Sequence, residues 1–192
     1  DSTLNVDYAA GNVGIGTTAP SEALDVVGKI ALNDGGNSVF IGENAGLYDD
    51  ASNNQNVGIG INALRNNTTG GGNTAMGWHS QIANSTGYSN TSLGYNSLST
   101  NQTGHQNTAL GRESLLSNTT GNNNTATGWS SLRFNTTGGN NTATGLNSLY
   151  YNTTGSNNVA NGYWSLRSNT TGSENVGIGT EALRNNTTGF RN

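Results

Sequence analysis

The chain reads as a mostly all-β repeat protein, a β-solenoid or β-roll of eight 17-residue rungs, and three observations predict it. First, the pattern Asn-[Thr/Val]-x-x-Gly-x-x-[Ser/Ala]-Leu-x-x-Asn-x-Thr-Gly-x-x recurs eight times without a gap, starting at Asn56, Asn73, Asn90, Asn107, Asn124, Asn141, Asn158 and Asn175. A fixed short period marks a stacked architecture whose single unit is too small to bury its own apolar face. Second, Leu, Ile, Val and Phe together supply 33 of 192 residues, about 17%. Disorder would also need high net charge, and here the net charge is −4 with 9% charged residues. The remaining solution is a narrow core shared between neighbouring repeats or neighbouring chains. Third, positions 1, 5, 12, 14 and 15 of the repeat are always Asn, Gly, Asn, Thr and Gly, while positions 6, 7 and 16 vary freely. Fixed turn residues beside variable ones describe a scaffold that displays side chains at regular spacing.

Residues 1–55 form a β-rich lead-in with a degenerate first repeat, and 56–192 carry the eight tandem repeats. The lead-in holds short β-like runs at Thr3–Val6, Asn12–Gly16 and Leu24–Leu32. Turn chemistry separates them at Ala10-Gly11-Asn12, Ala19-Pro20-Ser21 and Asn33-Asp34-Gly35-Gly36. The segment from Asn37 to Gln55 opens like a repeat and is read as an off-length copy that starts the stack.

Within a repeat, position 2 is Val or Thr, position 3 is Gly, Ala or Ser and position 5 is always Gly, a small and β-branched segment ending in Gly that predicts a short strand lying close to another backbone. Positions 8 and 9, small then Leu, read as an inward pair. The second repeat has Gln81-Ile82 there, so its apolar anchor is expected to slip by one residue. Positions 6–11 are open between a second strand and one helical turn; six residues are too few for a stable isolated helix. Positions 12–15, Asn-x-Thr-Gly, are turn chemistry, exemplified by Asn67 with Gly70, Asn118 with Gly121 and Asn135 with Gly138. The Asn side chain is expected to bond nearby backbone and the Gly to take positive φ. Asn at the same turn of each rung predicts an amide ladder along the stack. At ~4.8 Å per rung, eight rungs predict a rod roughly 40 Å long.

Composition excludes several classes. No basic patch exists to meet a phosphate backbone, so no nucleic-acid partner is expected. No apolar run approaches ~20 residues, so no membrane-spanning helix is expected. The chain opens on the polar Asp1 with no signal-peptide pattern, and no Cys is present for disulfides or thiolate zinc sites.

The segment Asn12-Val13-Gly14-Ile15-Gly16-Thr17-Thr18-Ala19-Pro20-Ser21 with Leu24-Asp25-Val26-Val27-Gly28 resembles the start of fibre regions in phage tail-fibre and bacterial surface proteins. The repeats resemble the Asn-Thr-Ala-x-Gly β-roll repeats of trimeric autotransporter adhesin heads, whose period is shorter. These resemblances imply a homotrimeric, extended fibre or adhesin on a virion or cell surface, hence extracellular. They bring no catalytic residue and no cofactor.

The residues that could carry chemistry point the same way. His79 and His105, the only histidines, occupy variable positions and read as solvated side chains rather than a metal pair. The Gly-x-Gly strings at Gly14, Gly58 and Gly177 lack the Lys and long helix of a phosphate loop and read as close packing. Asp49-Asp50 is the one adjacent acidic pair and lies in a loop, so neither calcium-loop nor glycosidase chemistry is expected. Every repeat contains Asn-x-Ser/Thr at Asn67, Asn84, Asn101, Asn118, Asn135, Asn152, Asn169 and Asn186, which a turn-forming motif creates without any need for glycosylation.

Position 6 reads Ile61, Trp78, Tyr95, Arg112, Trp129, Leu146, Tyr163 and Thr180. Trp78, Tyr95, Trp129 and Tyr163 form a stripe suited to sugar faces or to a subunit seam. The expected function is a structural fibre or adhesin segment, not an enzyme, that binds host-surface glycans or a receptor multivalently. A purely structural filament subunit is the alternative. An ice-binding solenoid built on the position-14 Thr column from Thr69 to Thr188 ranks third.

Overall fold

The computed structural model describes residues 37–50, 52 and 54–192 with side chains, together with the backbone of strands β1 (Leu4–Asp7), β2 (Asn12–Ile15) and β3 (Leu24–Val26). The chain divides into two compact units, Asp1–Leu32 and Asn33–Asn192. The first unit contains a three-stranded sheet in which β1 pairs antiparallel and β3 parallel with β2. The expected turns at 10–11, 19–21 and 33–36 lie outside the described residues.

The second unit is a parallel β-solenoid. Its nine strands are β4 (Val39–Ile41), β5 (Val57–Ile59), β6 (Thr74–Met76), β7 (Thr91–Leu93), β8 (Thr108–Leu110), β9 (Thr125–Thr127), β10 (Thr142–Thr144), β11 (Val159–Asn161) and β12 (Val176–Ile178). They form one parallel sheet in sequence order. From β5 onward each residue pairs with the one 17 positions on, as Ala126 does with Ala143. The offset is 18 between β4 and β5, where Val39 meets Val57, so the off-length opening rung runs over 38–55, one residue longer than the others, and the expected start at Asn37 is one residue early.

Three residues of strand per rung leave most backbone groups outside the sheet, yet inter-rung hydrogen bonds continue around the coil. In the third rung the position-9 amide of Leu98 donates to Ser114 O at 2.9 Å, and the position-11 amide of Thr100 to Leu116 O at 3.2 Å. The amides of positions 13–15 converge on one carbonyl of the next rung, as Thr119, Thr120 and Gly121 do on Thr136 O. Stacking therefore satisfies backbone that a single rung would leave unpaired.

Positions 6–11 resolve the open alternative against both candidates. No helix occurs among the described residues, and the segment is a run of turns. Position 8 bonds back to the Gly of position 5 and position 12 back to position 9, as in Ser131 N to Gly128 O at 3.4 Å and Asn135 N to Leu132 O at 3.1 Å. Positions 7 and 9 take left-handed conformations in every rung, with φ of 56° at Ser130 and 49° at Leu132. Two such residues inside six end any α-helix. A left-handed Leu is disfavoured by ~1–2 kcal/mol, whereas burying its side chain gives ~1.5–3 kcal/mol. Burial and the inter-rung bond together outweigh the backbone penalty.

The core is a column one Leu wide. Leu64, Leu98, Leu115, Leu132, Leu149 and Leu166 are fully buried, faced by Ala75, Ala109, Ala126, Ala143 and Ala160 from the strands. The small residue of position 8 is buried beside them, confirming the inward pair. The slip expected in the second repeat does not occur. Gln81 keeps the Leu position at full burial, with φ 50°, while Ile82 is half-buried. The backbone path fixes which position points inward, so the polar side chain goes in. Its Nε2 donates to Ser92 Oγ at 2.8 Å and Thr74 O at 3.1 Å, and its buried Oε1 has no partner. The apolar core is thereby split into a cluster holding Leu64 and one running from Leu98 to Leu166. In the opening rung the core position is Gly46, and Phe40 fills the space from the strand. A Cβ on Gly46 would lie 2.6 Å from its ring, and one on Gly58 2.8 Å.

Candidate functional site

Two asparagine ladders run through the interior. At position 12, Asn118 Nδ2 donates to Asn101 Oδ1 of the previous rung at 2.9 Å and to Gly121 O of its own turn at 3.0 Å. Asn67 starts this ladder on Asp49 Oδ1 at 2.9 Å, so the acidic pair of the opening rung begins with a structural residue. Asp50 accepts from Ser52 N at 3.0 Å, and the Ser52 side chain first and this backbone contact second hold its carboxyl below the usual aspartate value. At position 1, Asn124 Oδ1 accepts Asn141 N at 3.0 Å, while its Nδ2 donates to Gly138 O at 2.9 Å. Asn135 Nδ2 reaches the same Gly138 O at 2.9 Å. One glycine carbonyl thus accepts two buried amides in each rung.

The position-15 glycines Gly70, Gly121 and Gly138 do not take the positive φ that their turn chemistry predicts. Left-handed glycine φ falls instead at position 5, as in Gly128 at +126°. What excludes a side chain at position 15 is space. A Cβ on Gly138 would sit 2.5 Å from Asn135 Oδ1, 3.0 Å from Asn152 Nδ2 and against Gly155 O. The residue is small so that the amide ladder can close over it.

The outer surface carries the aromatics. All four expected stripe residues are exposed, Trp78 at 39%, Tyr95 at 44%, Trp129 at 54% and Tyr163 at 40%. Trp78 and Tyr95 stack with centroids 4.8 Å apart and planes 8° from parallel. Arg112 continues the column, its Cζ 5.4 Å from the Tyr95 centroid and 5.5 Å from that of Trp129. From Trp78 to Trp129 faces therefore cover one another along the column, whereas Tyr163 stacks on Trp164 of its own rung with centroids 4.7 Å apart. Beside Trp129 an open pocket of about 350 Å³ is lined by Glu113, Trp129, Ser130, Arg133, Leu146, Asn147 and Tyr150. Glu113 Oε2 accepts Arg133 Nε there at 3.0 Å. A volume near the lower end of small-ligand sites, one large ring and converging polar groups suit a saccharide-sized ligand.

His79 lies against Trp78, with centroids 3.2 Å apart, and its Nε2 is 3.0 Å from Asn62 Nδ2. Partial burial, with a smaller contribution from the Arg65 charge, holds its imidazole below the usual histidine value. His105 instead stacks on Tyr88 with centroids 4.5 Å apart. Among the described residues no three His, Cys, Asp or Glu side chains gather in a metal-binding group.

A second surface cluster escaped the sequence reading. Positions 10 and 11 carry Arg133, Phe134, Tyr150, Tyr151, Arg167 and Arg184. Arg167 Cζ lies 5.1 Å from the Tyr151 centroid and 4.9 Å from that of Trp164, while Arg184 Cζ is 4.4 Å from Trp164. Phe134 and Tyr151 wall an open groove of about 530 Å³ with Thr136, Thr153 and Thr170 along it. Reading columns 10 and 11 as column 6 was read would have revealed it. No protein family, curated protein or solved structure matches this chain.

Proposed function

We propose that this chain is a structural fibre or adhesin segment on a virion or cell surface, and that its outer aromatic–arginine face binds host-surface glycans. The observation that carries this reading is the division of labour within the rung. The inward and turn positions are used by the Leu column and the amide ladders, and exposed rings recur along the stack, at Trp78, Tyr95, Trp129 and Tyr163. The Trp129 pocket is its best-formed subsite. Repeated weak sites on one rigid stack, multiplied in a homotrimer, raise avidity without any strong single contact.

A purely structural filament subunit is the second reading. The mutual stacking of Trp78 and Tyr95 favours it, because faces that cover each other are not offered to a sugar. The test changes Trp78, Tyr95, Trp129 and Tyr163 together to Ala and measures binding to a glycan array or host cell, melting and mass on the same preparation. A stacked aromatic pair contributes only ~0.5–1.5 kcal/mol, so melting is expected to fall by a few degrees while binding is lost. Unchanged binding leaves the filament reading, and loss of the oligomer before loss of binding makes the stripe a seam.

A further inference from the structure

The eight Asn-x-Ser/Thr motifs of position 12 are closed to modification in the folded chain. Asn67, Asn84, Asn101, Asn118, Asn135, Asn152 and Asn169 are fully buried. In each, the Nδ2 that would receive a sugar already donates two hydrogen bonds, as Asn135 does to Asn118 Oδ1 at 2.8 Å and Gly138 O at 2.9 Å. Asn186, in the last rung, makes the same pair of bonds, to Asn169 Oδ1 at 2.9 Å and Gly189 O at 3.3 Å. Asn90-Thr91-Ser92 is closed too, with Asn90 buried and its Nδ2 donating to Gly104 O at 2.9 Å.

A different set of acceptors arises where the residue before a ladder asparagine is itself Asn. Asn-Asn-Thr occurs at Asn66, Asn123, Asn140 and Asn185, and all four first asparagines are exposed. The motif is read through its hydroxyl as well as its amide. At Asn66 that hydroxyl is engaged, since Thr68 Oγ1 donates to Ser85 O at 2.9 Å. Asn185 is exposed at position 11 of its repeat and lacks the left-handed backbone of position 17. At Asn123 and Asn140, position 17 of adjacent rungs, left-handed backbone with φ 58° and 57° carries side chains that hydrogen-bond to nothing among the described residues. The hydroxyls of Thr125 and Thr142 make no side-chain hydrogen bond either.

We infer that Asn123 and Asn140 are sites of asparagine-linked glycosylation in the folded protein, whereas the ladder asparagines accept sugar only when the stack opens. The step forms a bond from Asn Nδ2 to the anomeric carbon of a nucleotide-activated sugar. The bond from that carbon to the nucleotide phosphate breaks, the nucleoside diphosphate leaves and Nδ2 gives up one proton. No oxidant or reductant is needed. This inference stands on amide exposure and is independent of the ligand-binding reading above.

The test incubates the full chain with a soluble glucosyltransferase specific for Asn-x-Ser/Thr and UDP-glucose, folded and urea-unfolded, and maps hexose by peptide mass spectrometry. Folded protein is expected to carry hexose at Asn123 and Asn140. Ladder asparagines should be modified on the order of 100-fold more slowly, because they wait for local opening, and should react readily after unfolding. The double variant N123Q/N140Q should lose all folded-state hexose between Arg112 and Arg167 while melting as before, because Gln106 occupies the same position of the repeat with φ 57°. Ladder asparagines modified as fast as Asn123 in folded protein would overturn the inference. So would absence of hexose from both Asn123 and Asn140, whether or not the unfolded chain reacts.

Discussion

Gly128 and Gly138 occupy the two invariant glycine positions of one rung for different physical reasons. Gly128 combines a φ of +126° with close approach, its missing Cβ falling 2.8 Å from Gly145 O. Gly138 has ordinary φ and only the close approach. A role in backbone conformation would make Ala tolerable where φ is negative; a role in spacing makes even one methyl too many. Gly138→Ala should therefore already destabilise by the ~1–3 kcal/mol typical of overpacking, and Gly138→Val by more. An unchanged melting temperature for Gly138→Ala would show that the ladder yields to a side chain. Two rungs of Leu flank Leu132 in a column with no other large side chain, so Leu132→Ala should cost ~2–5 kcal/mol. Its neighbour Arg133 is only half-buried, pairing with Glu113 and lying 4.7 Å from the Phe134 centroid. Arg133→Ala should cost ~1 kcal/mol through lost packing and a partly screened ion pair. Equal melting shifts would show that the column does not dominate.

At the scale of the rung, the second repeat is the element that departs from its neighbours. Gln81 places an unpaired carbonyl inside the core, with Ser80, Ser92 and Ser97 buried around it. An unsatisfied buried acceptor costs ~1–3 kcal/mol, while the two bonds of its Nε2 recover part of that. Gln81→Leu should join the two apolar clusters and raise stability by ~1 kcal/mol, or about 2–4 °C for a chain of this size. A lowered melting temperature would mean that the Gln–Ser network is net favourable. The rung also shows which physics reads out in sequence. The strand, through positions 2 and 3, the inward Leu and the Asn ladder were legible because each of these positions admits few residue types. The turns of positions 6–11 were not. Their left-handed sites are held by Leu132, Trp164 and Glu181, residues without preference for that conformation, which inter-rung hydrogen bonds impose. Position 15 was misread because close approach and positive φ leave the same trace, an invariant Gly. In the candidate site, column 6 stood out for its tryptophans. The Arg133–Arg184 cluster did not, since its rings and guanidinium groups come from different rungs and positions.

At the scale of the whole molecule, the Leu column from Leu64 to Leu166 is fully buried without any partner, and only Leu183 of the eighth repeat is exposed, at 38%, so the small apolar inventory no longer demands one. Among the described residues, self-association would then use the outer surface, where position 4 of the strands carries one run of apolar residues. Ile59, Met76, Leu93 and Leu110 follow one another on β5 to β8, with Met76 at 38% and Leu93 at 51% exposure. The column then turns polar at Thr127, Thr144 and Asn161 on β9 to β11, before Ile178 on β12, 70% exposed. A contiguous apolar strip that ends abruptly in threonine fits a seam covering part of the stack. If the protein is a homotrimer with this strip as its contact, light scattering at micromolar concentration should give three times the chain mass. Met76, Leu93 and Leu110 changed together to Thr should then yield monomer. The variant should keep its fold, because Thr127 and Thr144 hold the same position in the same chain and the Leu column is untouched. Loss of the seam should appear as concentration-independent melting, where the parent melts at higher temperature as concentration rises. A parent that is monodisperse monomer, with melting independent of concentration, removes the trimer. The stack would then act as a single-chain spacer, and any avidity would have to come from its own successive rungs.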